Sequence, residues 1–346
     1  EALLNSDIIK PQFIHLRCHS EYSIVDGIVR IDDYIDAASK DTMPAVALTD
    51  LSNLFGAIKF YKAARGRGIK PILGCELWLE NTKNRDQAFR LLLLVQNNAG
   101  YLKLCQLISR AYLENQHRGR AEIKQAWLEN FEDNSTEGLI LISGNRQSDI
   151  GNALQANNHE VAGALIKSWS SMFPNRFYLE LQRTMHGNST QEALINHVLN
   201  LATNYEIPVV ATHPIQFIAR DDFKAHEART CIAEGYMLAD KRRPKNFSEE
   251  QYFKTQSEMC ALFADIPEAL QNTVEIAKRC NLSITLGKNY LPNFPTPNHE
   301  SLDSYLIQQS KLGLESRLVM LYPDENARNA KRPEYEARLA FECQII

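Results

Sequence analysis

Three short runs carry side chains that could do chemistry. The first is His15-Leu16-Arg17-Cys18-His19-Ser20-Glu21-Tyr22-Ser23, followed by Asp26-Gly27. The second is Ala47-Leu48-Thr49-Asp50-Leu51-Ser52-Asn53-Leu54, and the third is Lys70-Pro71-Ile72-Leu73-Gly74-Cys75-Glu76. Histidine and carboxylate together offer the nitrogen and oxygen donors that hold a divalent metal. Each run reads as the end of a short strand. In a barrel of parallel strands such ends share one mouth, where active sites are built. His19, Asp26, Asp50 and Glu76 would then converge. Each also has a plainer reading, as a histidine hydrogen-bonded at a polar strand end or a carboxylate in a helix cap or salt bridge. Both readings stand at this level.

The elements that must position these residues alternate. Short β-rich runs predict strands over 13–16, 45–48, 71–74, 91–95, 139–142, 176–181 and 208–212, most of them apolar on both faces as in strands buried beneath helices. Amphipathic stretches between them predict helices over 31–39, 54–65, 101–115 and 191–205. Strand–helix alternation implies a mainly parallel sheet with right-handed crossovers. About seven such units in roughly 200 residues suit a closed α/β barrel; an open doubly wound sheet is the structural alternative. After Thr212 the strand signals fade. Ser248 with Gln251 predicts a capping box opening a helix, and Asp265 with Glu268 a second, with Pro267 in its first turn. The run Leu291-Pro292-Asn293-Phe294-Pro295-Thr296-Pro297 excludes regular helix or central strand and reads as a linker. Helices are predicted beyond it, over 302–314 and 334–346.

The three runs, written as HS-x-YS-x-x-DG, TD-x-x-N-L-x-G and KPI-x-G-x-E, resemble the PHP domain of bacterial replicative polymerases. Asn97-Asn98-Ala99-Gly100-Tyr101, Leu141-Ile142-Ser143-Gly144, Phe177-Tyr178-Leu179-Glu180-Leu181, Val209-Val210-Ala211-Thr212 and the run 261–269 extend the likeness along nearly the whole chain. It is nearest to the DNA polymerase III alpha subunits of gamma-proteobacteria. The resemblance implies a PHP-type (β/α)7 TIM-like barrel over 1–286. It also implies a mainly helical segment over 287–346, comprising a linker and the start of the polymerase palm.

Metal-binding PHP barrels carry a ring of His, Asp and Glu ligands, and this sequence departs from that ring. Arg17 stands where a His is expected, Leu51 follows Thr49-Asp50 in place of a His, and Arg90 replaces another. Asn145 takes a Cys or His position, and Pro214 and Gln216 occupy the last Asp-x-His motif. His19, Asp26 and Glu76 remain. Arginine is always protonated and cannot give a lone pair to a metal, and Leu and Pro offer no donor atom. The expectation is a degenerate site without metal, with Arg17 paired to Asp26 or Glu76; Arg17 pointing to solvent is the plainer alternative. His213 is a poor substitute ligand, one place away from the motif.

The resemblance further implies that this stretch itself has no catalytic residue and no cofactor. The palm carboxylates and their magnesium ions would lie downstream in a DNA-directed DNA polymerase. Its partners would be a proofreading exonuclease (epsilon) subunit, other holoenzyme subunits including the sliding clamp, and DNA. A metal-dependent phosphoesterase or pyrophosphatase working in the barrel mouth is the competing function, and a purely structural module is a third.

Composition bounds these readings. The 346 residues are 44% hydrophobic and 23% charged, which suits a globular chain. A formal net charge of -4 gives no global basic field for nucleic acid. The basic run Lys241-Arg242-Arg243-Pro244-Lys245 reads first as a solvated loop, and Gly66-Arg67-Gly68 as a helix end. Seven scattered cysteines without a CxxC pair argue against a disulfide framework or a zinc ribbon and suit a reduced, cytosolic compartment. Residues 1–12 show no basic segment leading into a long apolar run, so no signal peptide is expected. The apolar run at 91–95 is far too short to span a bilayer.

Overall fold

The computed structural model describes residues 11–131, 133–184 and 189–346, so most of the stretch read for a leader lies outside the described residues. The chain forms two compact units, Glu1–Ile284 and Thr285–Ile346. The first unit contains, in chain order, α1 (Ile31–Lys40), β1 (Ala45–Leu48), α2 (Ala57–Gly66), β2 (Lys70–Leu79), β3 (Phe89–Val95), α3 (Asn98–Glu114), β4 (Gln116–His117), β5 (Arg120–Ile123), α4 (Gln125–Glu129) and β6 (Leu139–Ser143). It continues with α5 (Asp149–Gln155), α6 (His159–Met172), β7 (Phe177–Leu181), α7 (Ser189–Tyr205), β8 (Val209–Ala211), α8 (Phe223–Glu234), α9 (Gln256–Leu262) and α10 (Pro267–Arg279).

The strands build the barrel. β1 pairs with β2, β6 with β7 and β7 with β8, all parallel. The predicted strand at 13–16 is not a regular strand. The chain there is extended but joins its neighbours through isolated contacts: Ala47 N–H donates to His15 O (2.9 Å), Thr49 N–H to Cys18 O (3.0 Å) and His19 N–H to Ile215 O (2.9 Å). These contacts link β1 to the chain beyond β8 and close the ring. One strand departs from the parallel pattern. β3 runs antiparallel to both β2 and β6, because a short turn rather than a crossover helix follows β2. The start of β3 therefore lies at the same pole as the ends of the parallel strands.

The mainly apolar runs are buried as expected: β1, β6 and β7 are buried at every position. Sequence reading missed the β4–β5 hairpin, whose two-residue loop uses Arg118 at φ +48° and Gly119 at φ +77°. It also missed α4, α5, α6, α8 and α9. The helix predicted from Ser248 does not form. Gln251 Oε1 does accept from Ser248 N–H (2.8 Å), but Tyr252 bridges to Phe217 and Phe253 N–H donates to Phe217 O, which holds the chain extended. Asp265 does not cap α10. Ile266 holds that position with Pro267 in the first turn, and the Asp265 carboxylate binds Arg183 instead. Gly66-Arg67-Gly68 is the end of α2, with Gly68 at φ +72°.

The second unit opens with irregular chain through the proline-rich run and then forms α11 (Leu302–Leu321) and α12 (Glu325–Ile345). Pro333 lies inside α12, although the sequence suggests a start at 334. Asp324 caps the helix a turn and more earlier by accepting from Ala327 N–H (2.8 Å). Pro333 removes one internal hydrogen bond without stopping the helix. Among the described residues no helix is long and apolar enough to cross a membrane. All seven cysteines are free thiols.

Glycines separate two kinds of position. A Cβ on Gly151 of α5 would collide with the Asn145 carbonyl, whereas one on Gly66 would meet nothing within 4 Å. Gly151→Ala should destabilise by about 1–3 kcal/mol or more. Gly66→Ala should stabilise by about 0.5 kcal/mol. Urea unfolding of the two variants against the parent checks both signs.

Candidate functional site at the barrel mouth

The barrel mouth collects six charged side chains from five stretches of chain. Arg17 and His19 come from the extended segment before α1, and Asp26 from the loop that follows it. Glu76 is on β2, Arg90 opens β3 and Glu180 is on β7. Arg90 reaches the mouth only because β3 is reversed. It lies opposite Trp78 of β2, and its guanidinium stacks on that indole at 4.1 Å.

Arg17 is the hub. Its Nε and Nη2 donate to the two oxygens of Glu180 at 2.9 and 3.1 Å, a fork on one carboxylate. Its Nη1 donates to Glu76 Oε1 at 2.6 Å. Arg90 Nη1 donates to Glu76 Oε2 at 3.1 Å and stands 3.6 Å from Asp26 Oδ2. His19 bridges the remaining anions, with Nδ1 2.8 Å from Asp26 Oδ1 and Nε2 2.6 Å from Glu76 Oε2. Glu180 also accepts from Asn145 Nδ2 (2.6 Å), from Gln182 Nε2 (3.0 Å) and from the Thr212 hydroxyl. Arg17 is 4% exposed and Glu180 1%, so these are interior charges, costly to hold unless opposed.

Electrostatics follow from this packing. Burial would lower the His19 pKa, but Asp26 and Glu76 outweigh it and push it up to about 9. Burial would raise Asp26 and Glu76. His19 and Arg90 hold the Asp26 carboxyl below its usual range, and Arg17, Arg90 and His19 hold Glu76 well below. With His19 protonated at neutral pH, three cations (Arg17, Arg90, His19) face three anions (Asp26, Glu76, Glu180), and the network is neutral.

The other sequence candidates divide. Asn145, Pro214 and Gln216 line the same cavity, with Gln216 Nε2 3.4 Å from His19 Nδ1. Asp50 does not join the carboxylate cluster. It accepts from Ser20 N–H (2.7 Å) and from the hydroxyls of Ser20 and Ser23, fixing the first loop from behind. Leu51 is buried and meets Glu76 only through a backbone bridge. His213 points elsewhere, to Tyr252 O at 2.9 Å, beside His15. Arg17 pairs with Glu76 as expected but not with Asp26, which belongs to His19 and Arg90. Sequence reading missed Glu180 as the main partner of Arg17. The available signal was a lone charge inside the apolar strand Phe177–Leu181, where an unpaired carboxylate would be intolerable.

Two outcomes test this network. Arg17→Ala should cost about 3–5 kcal/mol, because it leaves Glu180 buried without its cation. Lys245→Ala, at an exposed position, should stay within about 0.5 kcal/mol of the parent. Because the folded-state pKa of His19 lies above its ordinary 6.5, its contribution is fully present below pH 6.5 and fades as pH rises through about 9. The stability gap between the parent and His19→Gln should therefore narrow across that window in thermal melts taken at each pH.

A PHP-domain family model matches residues 15–184, the stretch that holds Arg17, His19, Asp26, Glu76, Arg90 and Glu180. The DNA polymerase III subunit alpha of Neisseria meningitidis (strain Z2491) is 49% identical over 97% of this chain. The subunits of that name from Vibrio cholerae and Escherichia coli K12 are 44% identical over the same share. The chain spans less than a third of these relatives' length, 29% of the first and 28% of the other two. The chain thus carries a PHP domain and belongs to the family of bacterial DNA polymerase III alpha subunits, matching their N-terminal region.

Proposed function

We propose that this chain is the N-terminal portion of the catalytic alpha subunit of a replicative DNA polymerase, and that its barrel serves there as a scaffold without metal. Identity of 44–49% sustained over 97% of the chain carries the first part. In that reading the whole protein performs template-directed DNA synthesis in the cytoplasm. The palm carboxylates and their magnesium ions lie beyond Ile346, and 287–346 comprises the linker and the start of the palm. The barrel docks a proofreading exonuclease subunit, within an assembly that includes the other polymerase III subunits, the sliding clamp and DNA.

The charge balance at the mouth carries the second part. A metal cluster needs several free nitrogen or oxygen donors per ion. Here the donor set does not fit. Glu76 and Glu180 already face guanidinium groups, and His19 and Asp26 face each other. A divalent ion added to a neutral network would leave two positive charges buried. The same argument weighs against a phosphoesterase that depends on metal-activated water.

Elemental analysis of the purified chain at neutral pH, without chelator, should find no stoichiometric transition metal. Two or three ions per chain would favour the phosphoesterase. Primer extension with magnesium and four nucleotides should succeed with the whole protein and fail with this chain; template-dependent extension by this chain alone would refute the placement of the active site.

A further inference from the structure

At the pole opposite the mouth, a groove of about 620 Å³ runs between the loop after β3, the loop before β6, the turn before β7 and the end of α10. Gln96, Asn97, Arg176, Arg279 and Asn281 line it. Two features of its arginines are unusual.

Neither guanidinium makes an ion pair among the described residues. Arg176 donates from Nη1 to the carbonyls of Thr136 (2.5 Å) and Leu139 (2.8 Å), and from Nη2 to the Thr136 hydroxyl (3.2 Å). Arg279 donates to the Tyr178 hydroxyl (2.7 Å) and to Asn175 O (2.8 Å). Every one of these acceptors is neutral. Lys70 adds a third cation nearby, held by Ala277 O and Asn281 Oδ1, both at 2.7 Å. Glu137 is on the groove but within ion-pair reach of neither arginine. Positive charge therefore outweighs negative here, in a chain whose net charge is -4.

Donors also remain. A guanidinium carries five N–H groups. The bonds above use three on Arg176 and two on Arg279. The two heads are near enough for Arg279 to depress the Arg176 pKa, second to burial and the opposing pull of Glu137. Fixed, half-buried guanidinium groups with spare donors and no carboxylate bonded to either suit a tetrahedral oxyanion, which can take donors from both at once. The groove also opens beside Asn97, the cap of the 17-residue helix α3, whose positive dipole end adds in the same sense.

We propose that this groove is a binding site for a phosphate group, with Arg176 and Arg279 as its paired donors. A phosphodiester of a nucleic acid and free phosphate share that chemistry. The proposal does not depend on the polymerase reading, since inorganic phosphate tests it without reference to DNA synthesis.

The experiment follows a labelled single-stranded oligonucleotide by fluorescence anisotropy, and inorganic phosphate by calorimetry, on the purified chain at low salt. Saturable binding of at least one is expected. Arg279→Gln should weaken it about tenfold or more, the loss of a charge-assisted bond. For the oligonucleotide, each variant should also reduce the salt slope by about one. If both bind, phosphate should displace the oligonucleotide, which places a phosphodiester in the groove. Binding of phosphate alone marks a free-phosphate site. Arg176→Gln is the second variant. Because it also loses carbonyl contacts at Thr136 and Leu139, thermal melts must first show it folded, and Arg279→Gln carries the test if it is not. Equal binding by parent and Arg279→Gln overturns the proposal, as does no saturable binding of either probe. Tighter binding of a glutamate-rich peptide than of phosphate at the same arginines also overturns it.

Discussion

The barrel mouth depends on one constraint: three buried carboxylates must be opposed by cations held in fixed positions. Asp26, Glu76 and Glu180 come from different stretches of chain and would repel one another at interior distances. Arg17 reaches two of them, and Arg90 and His19 complete the set. Much of the surrounding architecture serves that geometry. Asp50 ties down the loop carrying His19, Ser20 and Ser23. Reversal of β3 delivers Arg90. Gly151 lets the 144–148 loop sit against α5, so that Asn145 can reach Glu180.

A neutral network of side chains differs from a metal cluster in what can disturb it. In the proposed reading chelators should leave this network intact, whereas truncation of a single arginine or deprotonation of a single histidine should weaken it. His19 makes the balance pH-dependent from within. Its proton is the third positive charge, and its removal leaves Asp26 and Glu76 facing one another with only Arg90 between them.

Legibility in the sequence followed the kind of signal. Strands apolar on both faces were readable because burial on both sides leaves no alternation to mistake, and β1 was located at its exact ends. The segment 13–18 was harder. Its composition is strand-like, but its pairing is a set of isolated bridges fixed only by long-range closure with Ile215. The direction of β3 was not readable at all, since an apolar run looks the same in either orientation. Ser248 and Gln251 formed their local hydrogen bond yet no helix, because pairing with Phe217 took the backbone. At the mouth, the residues that depart from the ligand pattern could be named one by one. Glu180 was not named: its place as the lone charge in an apolar strand marks it as needing a partner, but nothing local says that the partner is an arginine 163 positions away.

The central claim is that Arg17 and Glu180 stabilise the mouth as a pair. A double-mutant cycle measures that directly, comparing Arg17→Met, Glu180→Gln and the combination by urea unfolding at neutral pH. The account predicts that each single change is far more damaging than half of the double, with a coupling energy of at least about 1–3 kcal/mol. Additive effects, with no coupling beyond about 0.5 kcal/mol, would contradict it.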